Sequence, residues 1–285
     1  MTVTDQETRL PLVSCVMVTK RPDMARRAID CHANQDYPAR ELIIVCDGED
    51  GYDALHAYAA TRTPRPVATT AVAAGSRPLG ALRNLAIEMA RGELVCQWDD
   101  DDLSHPRRLS VQVSRMLAEG ADACFLTDQV QLTTRDQSVY WCDWAHTRGW
   151  PLPWSTIPNT LLCRKACLGR YPESGPLARR SEDTEVMRAL LTRTIVSRVS
   201  GLGWLYVYVS HGANTWHETH HLEIIRATGM GAQELVSRRR ELMDGMTAYS
   251  LGELVVRDWS GDEVYRIMTA PVEQAAETRG LNARC

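Results

Sequence analysis

The chain has 285 residues, of which 44% are hydrophobic and 24% charged, and its formal net charge is −4. This length allows one large domain or two small ones with a sizeable core, and the charge excludes a general basic surface for nucleic acid. The chain lacks a run of ~18 apolar residues and a signal-peptide pattern, and its nine scattered cysteines are typical of a reducing compartment, so we expect a cytoplasmic protein without a transmembrane segment.

Strands and helices alternate through the first hundred residues. Short apolar runs predict strands at 12–18, 41–47, 66–73 and 93–99, and the segments between them predict helices at 21–35, 51–61 and 78–92. This alternation is typical of a parallel sheet covered on both faces, in which ligands bind beyond the carboxyl ends of the strands. The segments "VTKRPD", "CDGEDG" and "WDDDD" follow three of those strands, so we expect them to converge on one crevice.

The second half of the chain has a different pattern. A helix is predicted from 105, strands within 121–134, 137–144, 159–166, 194–200 and 204–210, and a helix at 181–193. From 218 onward the chain is more charged and is predicted to be helical throughout. We therefore expect a catalytic domain at 1–217, with a nucleotide-binding half (11–102) and an acceptor half (103–217), and a C-terminal helical region at 218–285 that packs on the acceptor side or forms a homodimer.

Four consecutive aspartates, 99 to 102, follow the fourth predicted strand. In extended chain, side chains two apart point the same way, so an Asp-x-Asp pair can share a hard divalent ion, which in turn binds phosphate oxygens. The alternative is an acidic start to the next helix, favoured by the helix dipole. Because four aspartates exceed what a helix start needs, the sequence favours a site for a metal ion and a diphosphate.

Several stretches resemble, in chain order, the motifs of family 2 glycosyltransferases with the GT-A fold. They are "VSCVMVTKRPDMARRAIDCHANQDYPARELIIVCDGED", "GALRNLAIEMARGELVCQWDDDD", "SEDTE" and "YVSHGANTW", and the resemblance covers about residues 11 to 216. It implies an α/β fold with a mainly parallel central sheet flanked by helices. It also implies an inverting transferase that moves a sugar from a nucleotide diphosphate sugar, by family default a UDP-sugar, to an acceptor hydroxyl with the help of Mn²⁺ or Mg²⁺.

The resemblance also implies roles for particular residues. Asp99 and Asp101 are the Asp-x-Asp pair, with Asp101 on the metal ion and Asp99 on the ribose or the metal. The other residues implied at the nucleotide sugar are Thr19, Arg21, Asp47, Arg83, Asn84 and Asp100. Cys46 stands where many relatives carry a second acid beside Asp47, which leaves the choice of base open. Arg83 and Asn84 are equally compatible with a helix surface pair.

The acceptor hydroxyl is a poor nucleophile, so a carboxylate must take its proton as the new bond forms. The segment "SEDTE" offers Glu182, Asp183 and Glu185, and by family position Asp183 is the base, with Glu182 beside it. The alternative is that Asp183 is an acidic residue in the first turn of a helix that Ser181 caps. Asp183 can have both roles at once. His211, after a predicted strand, is a candidate third metal ligand; its alternative is a polar loop residue.

Other polar and aromatic groups give weaker signals. Cys142, His146, Cys163 and Cys167 have a spacing that zinc ligands could use, but they lack CxxC pairs, and Cys163 lies in an apolar run. His217, His220 and His221 lack the HExxH pattern and are predicted to lie on the surface. Four tryptophans are equally compatible with stacking on an acceptor and with core packing: Trp141, Trp144, Trp150 and Trp154.

Two other functions are compatible with an α/β chain of this kind. A nucleotidyltransferase would also use carboxylate-bound magnesium, but "VTKRPD" lacks the glycine- and lysine-rich loop expected after its first strand. A non-catalytic relative that binds a nucleotide sugar is the second alternative, and the presence of both "DDDD" and "SED" argues against it. The sequence leaves the acceptor open among saccharides, small molecules, proteins and modified bases.

Overall fold

The structure, a computed structural model of the chain, describes residues 9–63, 65–149 and 155–271. The strands in these ranges are β1 (Val13–Thr19), β2 (Arg40–Asp47), β3 (Val67–Val72), β4 (Leu94–Gln97), β5 (Leu103–Ser104), β6 (Ala123–Leu126), β7 (Asp128–Thr133), β8 (Ser138–Asp143), β9 (Leu162–Arg164), β10 (Val196–Val199), β11 (Tyr206–Ser210), β12 (Glu253–Arg257) and β13 (Glu263–Met268). The α-helices are α1 (Pro22–Ala33), α2 (Tyr52–Arg62), α3 (Leu79–Met89), α4 (Arg108–Ala118), α5 (Glu182–Arg193), α6 (Glu218–Thr228), α7 (Ala232–Ser237) and α8 (Arg239–Met246).

The alternating half of the sequence forms most of the first sheet, sheet A. Its order within the described ranges is β10-β6-β9-β4-β1-β2-β3. Strands β4, β1, β2 and β3 run parallel to one another, and β9 is antiparallel to β4 and β6. The apolar runs of β1 and β2 are buried along nearly their whole length, as expected for strands covered on both faces. The mainly parallel central sheet predicted from the sequence is therefore confirmed.

A second sheet, sheet B, holds the later strands in the order β13-β12-β8-β7-β11-β5. Strand β5 has only two residues, and it pairs antiparallel with β11. Because β4 belongs to sheet A and β5 to sheet B, the aspartate run at 99–102 lies in one of the connections between the two sheets. This placement puts the carboxylates at a junction that both sheets reach, beyond the carboxyl end of β4.

One continuous apolar core joins the two sheets. It includes Met17 and Ile44 from sheet A, Trp141 and Leu254 from sheet B, and Trp98, which immediately precedes the aspartate run. Full burial of such a side chain stabilises the fold by about 1.5–3 kcal/mol. The Trp98 ring also donates from Nε1 to the carbonyl of Ala28 on α1 at 2.9 Å, so the start of the acidic segment is fixed in the core.

The C-terminal part differs from the sequence prediction. Helices occupy 218–246 as expected, but β12 and β13 form an antiparallel pair where a helix was predicted, and β12 pairs with β8 of sheet B. The segment "EVYRIM" alternates in burial: Tyr265 and Ile267 are buried, whereas Arg266 and Met268 are exposed. A period of two is typical of a strand, and this alternation was overlooked among the charged residues. Residues 272–285 lie outside the described part of the chain.

Candidate active site

The predicted crevice forms at the carboxyl ends of the sheet A strands. A cavity of about 300 Å³ is lined by Thr19 and Arg21 after β1, Asp47 at the end of β2, and the aspartate run after β4. The start of α5 and the end of β11 close its other side, with Glu182, Asp183 and Tyr208. The convergence of the three segments after β1, β2 and β4 is therefore confirmed.

Arg21 neutralises the middle of the aspartate run. Its Nη2 lies 2.7 Å from Asp100 Oδ1 and 2.8 Å from Asp101 Oδ2. The Thr19 hydroxyl donates to Asp100 Oδ2 at 2.7 Å. Burial and the neighbouring Asp101 raise the pKa of Asp100. Burial opposes ionisation of Asp101 as well, but the hydrogen bond with His211 and the charge of Arg21 outweigh it and lower the pKa of Asp101.

Asp102 is a buried carboxyl that also lines the crevice. Its Oδ1 accepts a hydrogen bond from the backbone N–H of Val209 at 2.8 Å, and its Oδ2 accepts a short one from the Tyr206 hydroxyl. Burial, together with the charges of Asp101 and Asp99, raises the pKa of Asp102 well above its ordinary value. This carboxyl therefore ties the aspartate run to β11, two segments of the chain that meet only in the folded state.

Arg83 joins the aspartate run to the start of α5. Its Nη2 lies 3.1 Å from Asp99 Oδ1, and its Nε lies 2.9 Å from Glu182 Oε1. The Arg83 side chain is only 8% exposed and that of Glu182 only 4%. A helix surface pair, the alternative role for Arg83 and Asn84, is therefore wrong, because both residues are buried.

Asp183 lines the crevice one residue after Glu182. Its Oδ1 accepts a hydrogen bond from Thr184 N at 2.7 Å. Burial, then the negative charge of Glu182, raises the pKa of Asp183 to about 7. Ser181 does not cap α5 with its side chain as predicted; it adopts a left-handed conformation with φ 61°, which costs a residue other than glycine about 1–2 kcal/mol. The backbone is thus strained directly before the candidate base.

Asp47 and Asn84, which were both predicted to contact the nucleotide sugar, lie in different surroundings. Asp47 lines the crevice, and its Oδ1 accepts from the backbone N–H of Gly75 at 2.7 Å. Asn84 faces away from the crevice: its Nδ2 donates to Tyr171 O at 2.9 Å and to Glu173 Oε1 at 2.7 Å, and its Oδ1 accepts from Tyr171 N. Asn84 therefore fixes the segment that leads toward α5.

A divalent ion would meet two protein ligands here rather than three. His211 Nε2 lies 3.0 Å from Asp101 Oδ2, so an imidazole nitrogen and a carboxylate oxygen are already together. Asp99 instead contacts Arg83, and within the described ranges no three His, Cys, Asp or Glu side chains form a group that could hold a metal ion. The predicted group of Asp99, Asp101 and His211 is therefore not formed: Asp101 contacts His211, whereas Asp99 contacts Arg83. The pair Asp101 and His211 fits an ion that takes its other ligands from phosphate oxygens and water.

The weaker sequence signals fall elsewhere. Cys142 lies on β8 of sheet B and Cys163 on β9 of sheet A, and both are buried. His146 contacts Asp143 at 2.7 Å, and the described part of the chain shows no zinc-like cluster. The surface prediction is wrong for His221, which is 4% exposed and shares a hydrogen bond with the carbonyl of Trp216.

For Trp141 and Trp144, core packing is the alternative that holds. Trp141 is buried and donates from Nε1 to Asp128 at 2.7 Å, and Trp144 packs against the same core. Trp150 and Trp154 lie outside the described residues. The sequence analysis missed other residues that line the crevice: Lys20, Arg77, Arg179, Arg180, Tyr208 and Trp216. Lys20 lies in the segment "VTKRPD", and Tyr208 and Trp216 lie in the motif "YVSHGANTW", so these three had a signal, whereas Arg77, Arg179 and Arg180 had none.

Comparison with known proteins agrees with this geometry. The family model described as "Glycosyl transferase family 2" matches residues 14–164, more than half of the chain. "Putative colanic acid biosynthesis glycosyl transferase WcaA" from Escherichia coli (strain K12) is 39% identical over 102 residues. That stretch is 35% of this chain and 36% of the relative, so the match spans about a third of the length of each protein.

Solved structures share the fold at low sequence identity. S. aureus TarS 1-349 has a TM-score of 0.56 at 17% identity, covering 83% of this chain and 71% of that chain. The mannosyltransferase PcManGT from Pyrobaculum calidifontis, solved with GDP-Man and Mn²⁺, has a TM-score of 0.54 at 15% identity, covering 82% and 65%. These likenesses confirm the predicted glycosyltransferase-type α/β fold. Taken with the match over residues 14–164, they show that the chain belongs to glycosyl transferase family 2.

Proposed function

We propose that this chain is an inverting glycosyltransferase that moves a sugar from a nucleoside diphosphate sugar to an acceptor hydroxyl. The observation that carries the proposal is that Asp183 and the aspartate run line one crevice, with Arg83 bridging Asp99 and Glu182. We propose that the aspartate run faces the diphosphate through a metal ion and that Asp183, a separate carboxylate, faces the acceptor. Such a division of labour is what displacement at a sugar carbon requires.

The reaction is a single displacement at the anomeric carbon of the donor sugar. The acceptor oxygen forms a bond to that carbon while the bond from the carbon to the phosphate oxygen breaks. The acceptor proton passes to the Asp183 carboxylate, and the nucleoside diphosphate leaves with the electron pair. A base with a pKa of about 7 is suited to this transfer at neutral pH, because it is partly ionised and still basic enough to accept a proton.

The remaining predicted residues divide into two groups: those that contact the nucleotide sugar, and those that position other side chains of the site. Arg21 is placed to meet the diphosphate, Thr19 and Asp100 to position Arg21, and Asp47 to face the nucleoside. We propose that Glu182 positions Arg83 rather than accepting the proton, because its carboxylate is buried in that ion pair.

Asp101 and His211 are the residues that would hold Mn²⁺ or Mg²⁺. When bound, such an ion stabilises the negative charge that develops on the leaving diphosphate. Arg21 contacts both residues in this structure, with its Nη1 3.3 Å from His211 Nε2. We infer that Arg21 gives up this contact when the ion binds and turns toward the phosphates.

UDP is our proposed donor nucleotide. One of the solved structures similar to this chain is S. aureus TarS 1-349 in complex with UDP-GlcNAc, with a TM-score of 0.56. The GDP-Man complex of PcManGT shows that a related fold also takes guanine, so the nucleotide needs a direct test. Among the described residues, no helix is both long enough and apolar enough to cross a membrane. The cytoplasmic location and a homodimer through α6–α8 stay predictions.

The testing experiment is a thermal-shift screen of UDP, GDP and their sugars with and without Mn²⁺, followed by measurement of nucleotide release. A cognate ligand at a hundred times its Kd stabilises the folded state by about 2.7 kcal/mol through mass action. The melting temperature rises as a result. We expect one nucleotide sugar to stand out only with Mn²⁺, and Asp101→Asn to remove the metal dependence. Equal shifts for all nucleotides would contradict the proposal, and cognate binding without any turnover would favour the non-catalytic alternative.

A further inference from the structure

A second cavity of about 820 Å³ adjoins the donor crevice, and His211 is the one residue of its lining to which the mechanism above gives a role. It lies between the β7–β8 turn, the end of β11 and the start of α6. The two cavities share the wall formed by Arg180, Asn214, Thr215 and Trp216. We call this second cavity the side groove. Since Arg180 is three positions before Asp183, the side groove opens next to the candidate base.

The lining of the side groove is polar and cationic. Its charged residues are Arg135, Arg180 and Glu218, and Glu218 already pairs with Arg135 at 3.5 Å. Imidazoles and hydroxyls make up most of the remaining lining: His211, His217, His220, His221, Thr133, Thr134, Ser210, Thr215 and Thr219. Hydroxyls and imidazoles are groups that hydrogen-bond sugar hydroxyls, and two guanidinium groups against one carboxylate favour an anion.

An aromatic stack forms the wall between the side groove and the donor crevice. The Trp216 and His220 rings have centroids 4.3 Å apart at an interplanar angle of 24°, and the Arg180 guanidinium lies 4.8 Å from the Trp216 centroid. This stack joins the loop before α5 to the start of α6. It therefore presents a preorganised ridge over which a chain of sugars can pass from one cavity to the other.

We propose that the side groove binds the part of a saccharide acceptor that adjoins its reactive residue, and that this part carries an anionic group, a carboxylate or a phosphate. The inference rests on the proposed function, because it places the reactive hydroxyl at Asp183 in the donor crevice. An acceptor anion in the donor crevice itself would meet the aspartate run, Glu182 and Asp183. Arg180 lies on the wall that both cavities share, but in the side groove Arg180 and Arg135 meet a single carboxylate, that of Glu218.

Arg135 and Glu218 allow a test in which two variants act in opposite directions. Both side chains are mostly exposed, at 82% and 56%, so Arg135→Gln and Glu218→Gln should fold normally, which thermal melting checks. Arg198→Gln is the matched control, because Arg198 is an exposed arginine that lines a different cavity. The probes are methyl glucoside, methyl glucuronide, glucose 6-phosphate and inorganic phosphate, titrated by NMR with UDP and Mg²⁺ present, because paramagnetic Mn²⁺ would broaden the signals.

We expect the wild-type protein to bind the glucuronide or the sugar phosphate more tightly than the neutral glucoside. Arg135→Gln should lower that preference, and Glu218→Gln should raise it, each by roughly threefold to fivefold, the size of an exposed charge interaction. Arg198→Gln should leave it unchanged, and 0.5 M salt should weaken it strongly. The glucuronide and phosphate arms tell which anionic group is preferred.

Equal binding of neutral and anionic sugars, or a preference that neither variant moves, would overturn the inference. So would inorganic phosphate binding as tightly as the sugar phosphate, because the groove would then be a simple anion site. Nucleotide release from the donor, measured separately, distinguishes the two proposals. If release occurs without an anion preference, this inference alone fails; if the preference occurs but no donor is ever turned over, the proposed function fails.

Discussion

Arg83 Nε lies 2.9 Å from Glu182 Oε1, so two residues 99 positions apart in the chain form a buried ion pair. The same guanidinium contacts Asp99 at 3.1 Å, and it thereby links α3, the end of β4 and the start of α5. Each of these elements supplies part of the crevice. Arg83 therefore helps to set the position of the candidate base relative to the aspartate run.

The first prediction concerns the stability of that link. Arg83→Met should lower the free energy of unfolding by about 3–5 kcal/mol, because it leaves two carboxylates in a buried site without their cation. Arg62→Met is the control: its pair with Asp30 is half exposed and should contribute about 1 kcal/mol or less. Urea unfolding measures both. Equal effects of the two substitutions would mean that Arg83 is not a buried structural link.

The second prediction concerns the pH dependence of transfer. Asp183 accepts a proton only when ionised, so the rate should rise with pH through about 7 and then level off. Glu182→Gln removes a negative charge that raises the pKa of Asp183, so the rise should move to lower pH. Asp183→Asn should lower the rate by roughly 10²–10⁴-fold. Glu185→Gln, farther along α5, is the control, and its profile should match that of the wild type.

The strand and helix pattern of the first hundred residues was readable from the sequence. Apolar β-branched runs such as "ELIIVCD" and amphipathic segments are recognised by their local periodicity. The structure places β1–β4 and α1–α3 close to the predicted bounds. The two-residue strand β5 has no such periodicity. Its pairing with β11 brings together residues about a hundred positions apart, which no local pattern reveals.

The same limit applies to the candidate site. The sequence showed the aspartate run and the acids at 182 and 183, because carboxylates at strand and helix ends are visible locally. It did not show which groups neutralise them. Arg21 reaches Asp100 across 79 positions and Arg83 reaches Glu182 across 99 positions. Asp102 is held by Tyr206 and Val209, more than a hundred positions away. Those contacts follow from sheet order, not from spacing.

The third prediction is that Asp183→Asn, which should lower the rate of transfer, stabilises the protein at high pH. The folded-state pKa of Asp183 is raised above its ordinary value, so the folded state binds this proton more tightly than the unfolded state. The contribution to stability is therefore present below pH 4 and is lost as the pH rises through about 7. Asp183→Asn should melt at a higher temperature than the wild type at pH 8. The difference should shrink as the pH falls to 4, and a difference that does not vary with pH would contradict the raised pKa.

The fourth prediction concerns Arg21 and the metal ion. Arg21 Nη2 lies within 2.8 Å of carboxylate oxygens of both Asp100 and Asp101, so a cation already occupies the side of Asp101 that faces His211. Arg21→Gln should tighten the binding of Mn²⁺ alone by roughly tenfold, because two like charges a few ångströms apart repel. Electron paramagnetic resonance of free Mn²⁺ measures this without any turnover.

Arg27→Gln provides the control for that measurement. Arg27 lies on α1, the helix that follows Arg21, is exposed, and donates to the backbone carbonyl of Asp101 at 3.4 Å. Its removal should leave Mn²⁺ affinity nearly unchanged. If Arg21→Gln binds Mn²⁺ no more tightly than Arg27→Gln, Arg21 does not compete with the ion, and the ion must be held by other residues.

The last prediction concerns the contact between α3 and the segment before α5. Alanine in place of a helical glycine usually stabilises a protein by about 1 kcal/mol. A Cβ on Gly80, however, would lie 1.9 Å from the carbonyl oxygen of Pro172, which follows the residue that Asn84 holds through its carboxamide. Gly80→Ala should therefore destabilise the protein by about 1–3 kcal/mol, as overpacking does. It should also lower transfer by displacing α3 and, with it, Arg83.

Gly169→Ala is the matched control, because a Cβ there meets no atom within 4 Å. It should be neutral or slightly stabilising, since alanine restricts the unfolded chain. Thermal melting of both variants gives the comparison, and nucleotide release reports on the crevice. A stabilised and fully active Gly80→Ala would mean that α3 and the 171–173 segment can separate without moving Arg83. In that case the position of Asp183 would depend on the Arg83–Glu182 contact alone.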